Sequence, residues 1–184
     1  MRSTTKKGFI FRAALAAFFF CPFVFGSADS LAVKGGWVKG GNAGYAFEIG
    51  KDKEVRHGKS ASCYIRSKGW PEGYGMIVNQ IKAKRFVGKR VRMSAYIKTE
   101  RVAEWVGMMM RLDGKDLNDR FGFDNMHNRP IQGTTEWQRY EIVMDVPEGV
   151  KKIVFGLLLT GPGNAWLDDV TFDVVGGDAP TAGF

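Results

Sequence analysis

The chain is built from short runs in which apolar and polar residues alternate. In "RVRMSAYIK", residues 90–98, the apolar side chains fall on every second position. Successive side chains of an extended strand point to opposite faces, so a period of two predicts a strand with one buried face. Similar alternation marks "GYAFEIG", "SASCYIR", "EWVGMMMRLD", "YEIVMDV" and "KKIVFGLLLTG". In "AWLDDVTFDVV" it puts Trp166, Val170, Phe172 and Val174 on one face, which Asp168 interrupts.

Turn signals rich in Gly and Pro separate these runs, among them "SKGWPEGYG", "VPEG" and "TGPGN". These residues supply the backbone angles that turns require. About ten short strands at this spacing predict an all-β fold, a jelly-roll β-sandwich of two antiparallel sheets. We expect a single domain over residues 29–175, followed by a flexible tail at residues 176–184.

The first 28 residues have the pattern of an export signal. Arg2, Lys6, Lys7 and Arg12 precede an apolar run over residues 13–25, and small residues follow at the cleavage positions. The run is shorter than the ~20 apolar residues of a membrane span. We therefore predict a signal peptide at residues 1–28, a periplasmic or secreted protein, and no stable membrane span after cleavage. An uncleaved N-terminal anchor is the alternative.

The charge of the chain bears on its partners, and its cysteine content bears on disulfide bonds. The chain has 27 Lys and Arg against 19 Asp and Glu, a net charge of +8. The predicted signal contains four of the cations and no acid, so the remainder has a net charge of +4. The remaining cations are scattered among acids, which argues against a nucleic-acid partner. Only Cys63 remains in the mature chain, so an internal disulfide is excluded there.

Several segments resemble a bacterial family of jelly-roll domains. In order they are "HGKSAS", "GKRVRMSAYIKT", "WVGMMMRLDGK", "FDNMHNRPIQGTTEWQRYEIVMDVPE" and "IVFGLLLTGPGNAWLDDVTFDVV". Together they span about residues 37–175 and are similar to galactose-binding-like domains of the carbohydrate-binding-module type. Relatives stand alone as exported proteins or follow helix-turn-helix transcription regulators. The resemblance implies the fold and a carbohydrate, or another polar small molecule, as the ligand.

An aromatic platform is the first candidate site. If "RVRMSAYIKT" and "EWVGMMMRLD" are neighbouring strands, then Trp105, Tyr96 and Arg111 share the face opposite the core. The flat face of a pyranose stacks on an aromatic ring, and a guanidinium binds hydroxyls or a carboxylate. The alternative is that a loop or a partner covers this face and Trp105 packs beneath it.

The polar bend "FDNMHNRP" is the second candidate. Asp124, Asn125 and Arg129 either bind a ligand at the rim of the platform or hold the bend together. In the structural interpretation, Asp124 or Asn125 pairs with Arg129. Trp137, which follows the bend, is interpreted as packing.

The sequence favours a binding module over an enzyme, because no catalytic motif accompanies its two histidines. Two alternatives remain open. One is a weak hydrolase or lyase that uses Asp124 or His127, and the other is a protein-interaction module that uses the same face. No cofactor is required; Asp168 and Asp169 permit a structural calcium ion without a calcium-loop motif to support it. The oligomeric state stays open.

Overall fold

A computed structural model of the protein describes residues 31–32, 36–116 and 119–181. The export signal predicted at residues 1–28 lies outside these residues. The strands are β1 (Leu31–Ala32), β2 (Val38–Gly40), β3 (Phe47–Asp52), β4 (Ser62–Ser67), β5 (Tyr74–Lys82), β6 (Lys89–Asp113), β7 (Arg120–Asp124), β8 (Ile131–Val146), β9 (Lys152–Thr160) and β10 (Asn164–Val175). A 3-10 helix at Gly44–Ala46 precedes β3.

Strand β6 organises the fold because its two halves belong to different layers. Residues 90–100 pair with β10, and residues 105–113 pair with β9. Between the halves, Arg101 has a φ of 52°, a left-handed conformation that is uncommon for residues other than glycine. We call the layer of β3, β4, β10, the first half of β6 and the end of β8 the front sheet. The layer of β2, β5, β9, the second half of β6 and β7 is the back sheet.

The core lies between the two sheets. Phe155 of the back sheet meets Phe172 of the front sheet edge to face, with ring centroids 4.9 Å apart. Val91, Met93, Val106 and similarly placed side chains of β6 are buried. All the strand pairings are antiparallel. The predicted all-β jelly-roll sandwich and the single domain are confirmed.

Strand β10 departs from the predicted alternation. Trp166 and Asp168 lie on the outer face of the front sheet, whereas Leu167 pairs with Ile97 and faces the core. A bulge follows Asp168, where Asp169 has a φ of 49°. A bulge inserts one residue and reverses the facing of those that follow. The prediction that put Trp166 on the same face as Phe172 is therefore wrong.

Cys63 lies in the core on β4, where it pairs with Leu167 of the neighbouring strand β10. Burial raises the pKa of its thiol from an ordinary value of 9.0 to about 11, and the charge of Asp168 adds to the effect. The thiolate is the reactive form of cysteine, so this residue has the properties of a packing side chain.

The segment after β10, predicted to be a tail, follows a defined path as far as residue 181. Arg90 donates hydrogen bonds from Nη1 to the carbonyl oxygens of Gly177 and Ala179, at 2.6 and 2.9 Å. The other side of the same guanidinium binds Asp145, at 2.7 and 2.8 Å. The segment is thereby placed over the end of the front sheet that contains Arg90 and Asp145. Its predicted flexibility stays a prediction.

Candidate functional site

The structure separates the three residues of the predicted platform. The two strands that were expected to be neighbours are the two halves of β6. Their outer faces belong to opposite layers, so Tyr96 lies on the front of the sandwich and Trp105 and Arg111 lie on the back. The prediction that these three side chains converge is wrong. The alternation in the sequence correctly places each of these three side chains on an outer face. It does not predict the bend at Arg101, which turns the two outer faces away from each other.

On the back sheet, both residues of the predicted platform are already engaged. Trp105 is half-buried and meets the ring of His127 edge to face, with centroids 5.5 Å apart. Arg111 donates two hydrogen bonds to Asp113, at 2.7 and 2.8 Å, and this pairing raises the pKa of the guanidinium. A fork-to-fork pair of this kind leaves Arg111 fewer donors for a ligand.

Gly107 allows the polar bend to approach the back sheet closely. A Cβ atom at this position would lie 2.2 Å from the carbonyl oxygen of Asn125 and 2.7 Å from the Trp105 ring. The bend therefore covers part of the face that was expected to be open. This observation matches the alternative in which a loop covers Trp105.

The bend is held together by the carboxylate of Asp124. Its Oδ2 accepts a hydrogen bond from Arg129 Nη2 at 2.6 Å, and its Oδ1 accepts one from the backbone N–H of Met126 at 2.7 Å. Asn125 accepts from the backbone N–H of His127 at 3.2 Å. The Asp124 side chain is only 9% exposed. The structural interpretation is confirmed for the pairing with Arg129; ligand binding by these residues stays a prediction.

We expect Asp124→Ala to lower the free energy of unfolding by about 2 kcal/mol, because Arg129 and the Met126 N–H lose their acceptor. For a domain of this size, that loss corresponds to a fall in Tm of about 4–8 °C. Thermal unfolding measures it. Asp124→Asn is the control, since it keeps one acceptor oxygen and should cost less. An unchanged Tm with lost ligand binding would instead show that Asp124 binds the ligand.

The front sheet contains a cluster of three rings that the sequence did not bring together. His57 stacks on Tyr96, with centroids 3.6 Å apart and an interplanar angle of 13°. Trp137 of β8 meets His57 edge to face, with centroids 5.9 Å apart. Trp137 and Tyr96 are each half-buried. We call His57, Tyr96 and Trp137 the front aromatic cluster.

Asp168 positions His57 over Tyr96. Its Oδ2 accepts hydrogen bonds from the backbone N–H groups of His57 and Gly58, at 2.9 and 3.0 Å. Its Oδ1 accepts one from the backbone N–H of Asp169, at 2.8 Å. The ring of His57 is fixed from the other side, because its Nδ1 lies 2.8 Å from Asp169 Oδ2. The loop between β3 and β4 is thus attached to β10 through two adjacent carboxylates.

These contacts bear on the suggested calcium ion. Both Asp168 oxygens bind backbone N–H groups, which occupy lone pairs that a cation would need. Within the described parts of the chain, no group of three or more His, Cys, Asp or Glu side chains is arranged to hold a metal ion. Calcium binding stays a prediction.

The start of the same loop covers Trp166. The Trp166 indole donates to Asp52 Oδ2 at 3.0 Å, and Asp52 Oδ1 accepts from the backbone N–H groups of Glu54 and Val55. The Val55 N–H and the indole N–H lower the pKa of Asp52, because both stabilise the carboxylate. Trp166 is only 4% exposed, so it supports the loop and offers little surface to a ligand.

Charged side chains border the front aromatic cluster. Lys98 binds Glu136 at 2.6 Å. Arg139, which lies opposite Tyr96, donates to Glu141 and to Ser94 Oγ. Donors and acceptors therefore lie beside exposed ring surface on one continuous sheet. Such an arrangement can bind hydroxyl groups while a ring stacks on the apolar face of a sugar.

Sequence reasoning missed the two rings that complete this cluster. No local signal in the sequence indicates the position of His57, because its contacts are with Asp168, Asp169 and Tyr96, all distant in the chain. Trp137 was interpreted as packing. Its position in the alternation of β8, opposite the core face, was the signal that could have placed it on the outer surface.

Comparison with known proteins gives one curated relative, and no family model matches the chain. The chain is 43% identical over 148 residues to the uncharacterized HTH-type transcriptional regulator YbfP of Bacillus subtilis (strain 168). The match covers 79% of this chain and 50% of that protein. The chain thus spans about half the length of the curated relative it matches. This agrees with the resemblance to domains appended to helix-turn-helix regulators.

Solved carbohydrate-binding modules share the fold. The family 30 module of the cellulosomal cellulase Cel9D-Cel44B of Clostridium thermocellum matches with a TM-score of 0.57 at 15% identity, over 81% of this chain and 98% of that chain. The CBM22-1 xylan-binding domain of Paenibacillus barcinonensis Xyn10C matches with a TM-score of 0.53 at 17% identity, over 80% of this chain and 88% of that chain. At these identities the likeness establishes the jelly-roll fold.

The described residues contain no helix of the length and apolarity that a membrane crossing requires.

Proposed function

We propose that the protein is a carbohydrate-binding module whose ligand lies on the outer face of the front sheet. The observation that carries this proposal is the front aromatic cluster, in which Trp137 is half-buried beside the stacked pair of His57 and Tyr96. A half-buried indole keeps part of its apolar surface exposed, and a pyranose can stack on that surface.

The proposal retains Tyr96 and replaces the other two members of the predicted platform. Trp137 takes the role assigned to Trp105, and Arg139 takes the role assigned to Arg111. Arg139 lies opposite Tyr96 in the register of β6 and β8 and is about half exposed. Trp105 and Arg111 would then contribute to the stability of the back sheet. The solved neighbours support the proposal because they are carbohydrate-binding modules of the same fold.

The contacts of Asp124 favour binding over catalysis. Each of its carboxylate oxygens already accepts a hydrogen bond, so it is a poor candidate for a general base. His127 lies against Trp105 on the back of the molecule, away from the front aromatic cluster. If the signal predicted at residues 1–28 is cleaved, binding takes place in the periplasm or outside the cell.

We expect Trp137→Ala to weaken binding to the glycan by about 5- to 30-fold, because stacking on an aromatic face contributes roughly 1–2 kcal/mol. A glycan array identifies the ligand, and isothermal titration calorimetry then gives its Kd for each variant. Trp70→Ala is the matched control, since Trp70 is 81% exposed on the turn between β4 and β5. Binding that survives Trp137→Ala and is lost in Trp105→Ala would place the site on the back sheet instead.

A further inference from the structure

A cavity of about 290 Å³ lies at one end of the front sheet, beside Arg92 and Val143. Three parts of the chain form its walls. They are the outer face of β6 and β8, the end of the polar bend, and the segment after β10. Arg92 and Arg129 line it from two of these sides, and Ala179, Pro180 and Thr181 close the third.

Arg92 has a donor that the protein does not satisfy. Its Nε is buried and has no hydrogen-bond partner among the described residues. Its nearest acidic partner is Glu141, whose Oε1 lies 3.5 Å from Nη1. That carboxylate also binds Arg139, so one acid serves two guanidinium groups. A guanidinium has five N–H donors, so the single contact with Glu141 leaves the partly exposed end of the Arg92 side chain with donors for an acceptor from outside the chain.

Arg129 brings a second guanidinium to the cavity in a fixed position. Its Nη2 binds Asp124 and its Nη1 binds the side-chain oxygen of Asn128, at 2.6 and 2.9 Å. Its side chain and that of Arg92 are each 34% exposed. A guanidinium has five N–H donors, so Arg129 keeps capacity for a further acceptor while the pair with Asp124 holds it still.

The cavity continues the surface of the proposed glycan site. On β8, Trp137, Arg139, Glu141 and Val143 follow at alternate positions, and Val143 lies opposite Arg92. Glu141, which lines the cavity, lies four residues beyond Trp137 on the strand, a distance of about 13 Å. That distance is about the length of two or three sugar units. A linear glycan stacked on Trp137 could therefore reach the cavity.

We propose that the cavity holds the carboxylate of an acidic sugar unit, so that the ligand of the front sheet is an anionic polysaccharide rather than a neutral one. This inference rests on the proposed function. A carboxylate is planar and accepts two parallel hydrogen bonds, which matches the fork of a guanidinium. The partly exposed N–H groups of Arg92 and Arg129 are the donors that such a ligand would satisfy.

The test compares two ligands that differ only at the carboxyl group. A uronic-acid oligosaccharide and its carboxyl-reduced, neutral counterpart are titrated into the full chain by calorimetry. We expect the acidic form to bind at least tenfold more tightly. Arg92→Gln should abolish that preference by weakening the binding of the acidic form at least tenfold. Arg120→Gln is the matched control, since Arg120 is exposed on β7 and outside the cavity.

A second variant keeps the test decisive if Arg92→Gln does not fold. Thr181→Glu places a carboxylate at an exposed position of the cavity wall and should reduce the preference for the acidic ligand by repulsion. Equal affinity for the two oligosaccharides would overturn the inference and leave the proposed function intact. Binding of neither oligosaccharide, together with no binding on the glycan array, would overturn both. Competition by inorganic phosphate without any preference for the acidic oligosaccharide would also overturn it.

Discussion

Phe155→Ala is expected to lower the free energy of unfolding by about 4 kcal/mol, the largest effect of any substitution proposed for this chain. Phe155 is fully buried and meets Phe172 across the two layers, with centroids 4.9 Å apart. The half-buried ring of Trp37 contacts it from another side, at 5.5 Å. Truncation removes a large apolar surface and leaves a cavity that rigid strands cannot close.

Chemical denaturation with urea measures this loss. The midpoint should fall while the slope against denaturant is retained, as expected when stability alone changes. Phe155→Leu is the control, because it keeps most of the apolar volume and should cost markedly less. A loss below about 1 kcal/mol for Phe155→Ala would contradict the packing of the two sheets against each other at this ring.

The sequence was sufficient to predict the core because the relevant signal is local. Along the first half of β6 the period of two indicates the buried face, and Val91, Met93, Ala95 and Ile97 are all buried as their alternation indicates. The same signal carries no information about which strands become neighbours. One strand of 25 residues was therefore read as two, since the left-handed bend at Arg101 has no sequence signature.

The candidate site was harder to predict because long-range hydrogen bonds assemble it. The backbone N–H of His57 reaches a carboxylate 111 residues away, and this contact sets the ring over Tyr96. By contrast, the pairing of Asp124 with Arg129 joins residues five positions apart and could be predicted from the bend itself. Contacts between residues close in the chain could thus be predicted, whereas contacts between distant residues could not.

Asp168 links the fold to the proposed ligand surface, so its removal should have two separate effects. We expect Asp168→Ala to cost about 3 kcal/mol, because three backbone N–H groups lose a buried acceptor. We also expect the loop that contains His57 and Gly58 to leave Tyr96. Hydrogen exchange of the His57 and Gly58 amides should then become faster than global unfolding allows.

Asp168→Asn separates these effects, because the amide oxygen can still accept from the loop while the charge is lost. Slow exchange at His57 and Gly58 in the Asn variant, with fast exchange in the Ala variant, would show that the loop needs an acceptor and not a charge. A calcium-dependent rise in the Tm of the unmodified protein, absent from both variants, would show instead that the carboxylate is a cation ligand. Unchanged exchange at His57 and Gly58 in Asp168→Ala would mean that other contacts hold the loop, and the front aromatic cluster would then not depend on β10.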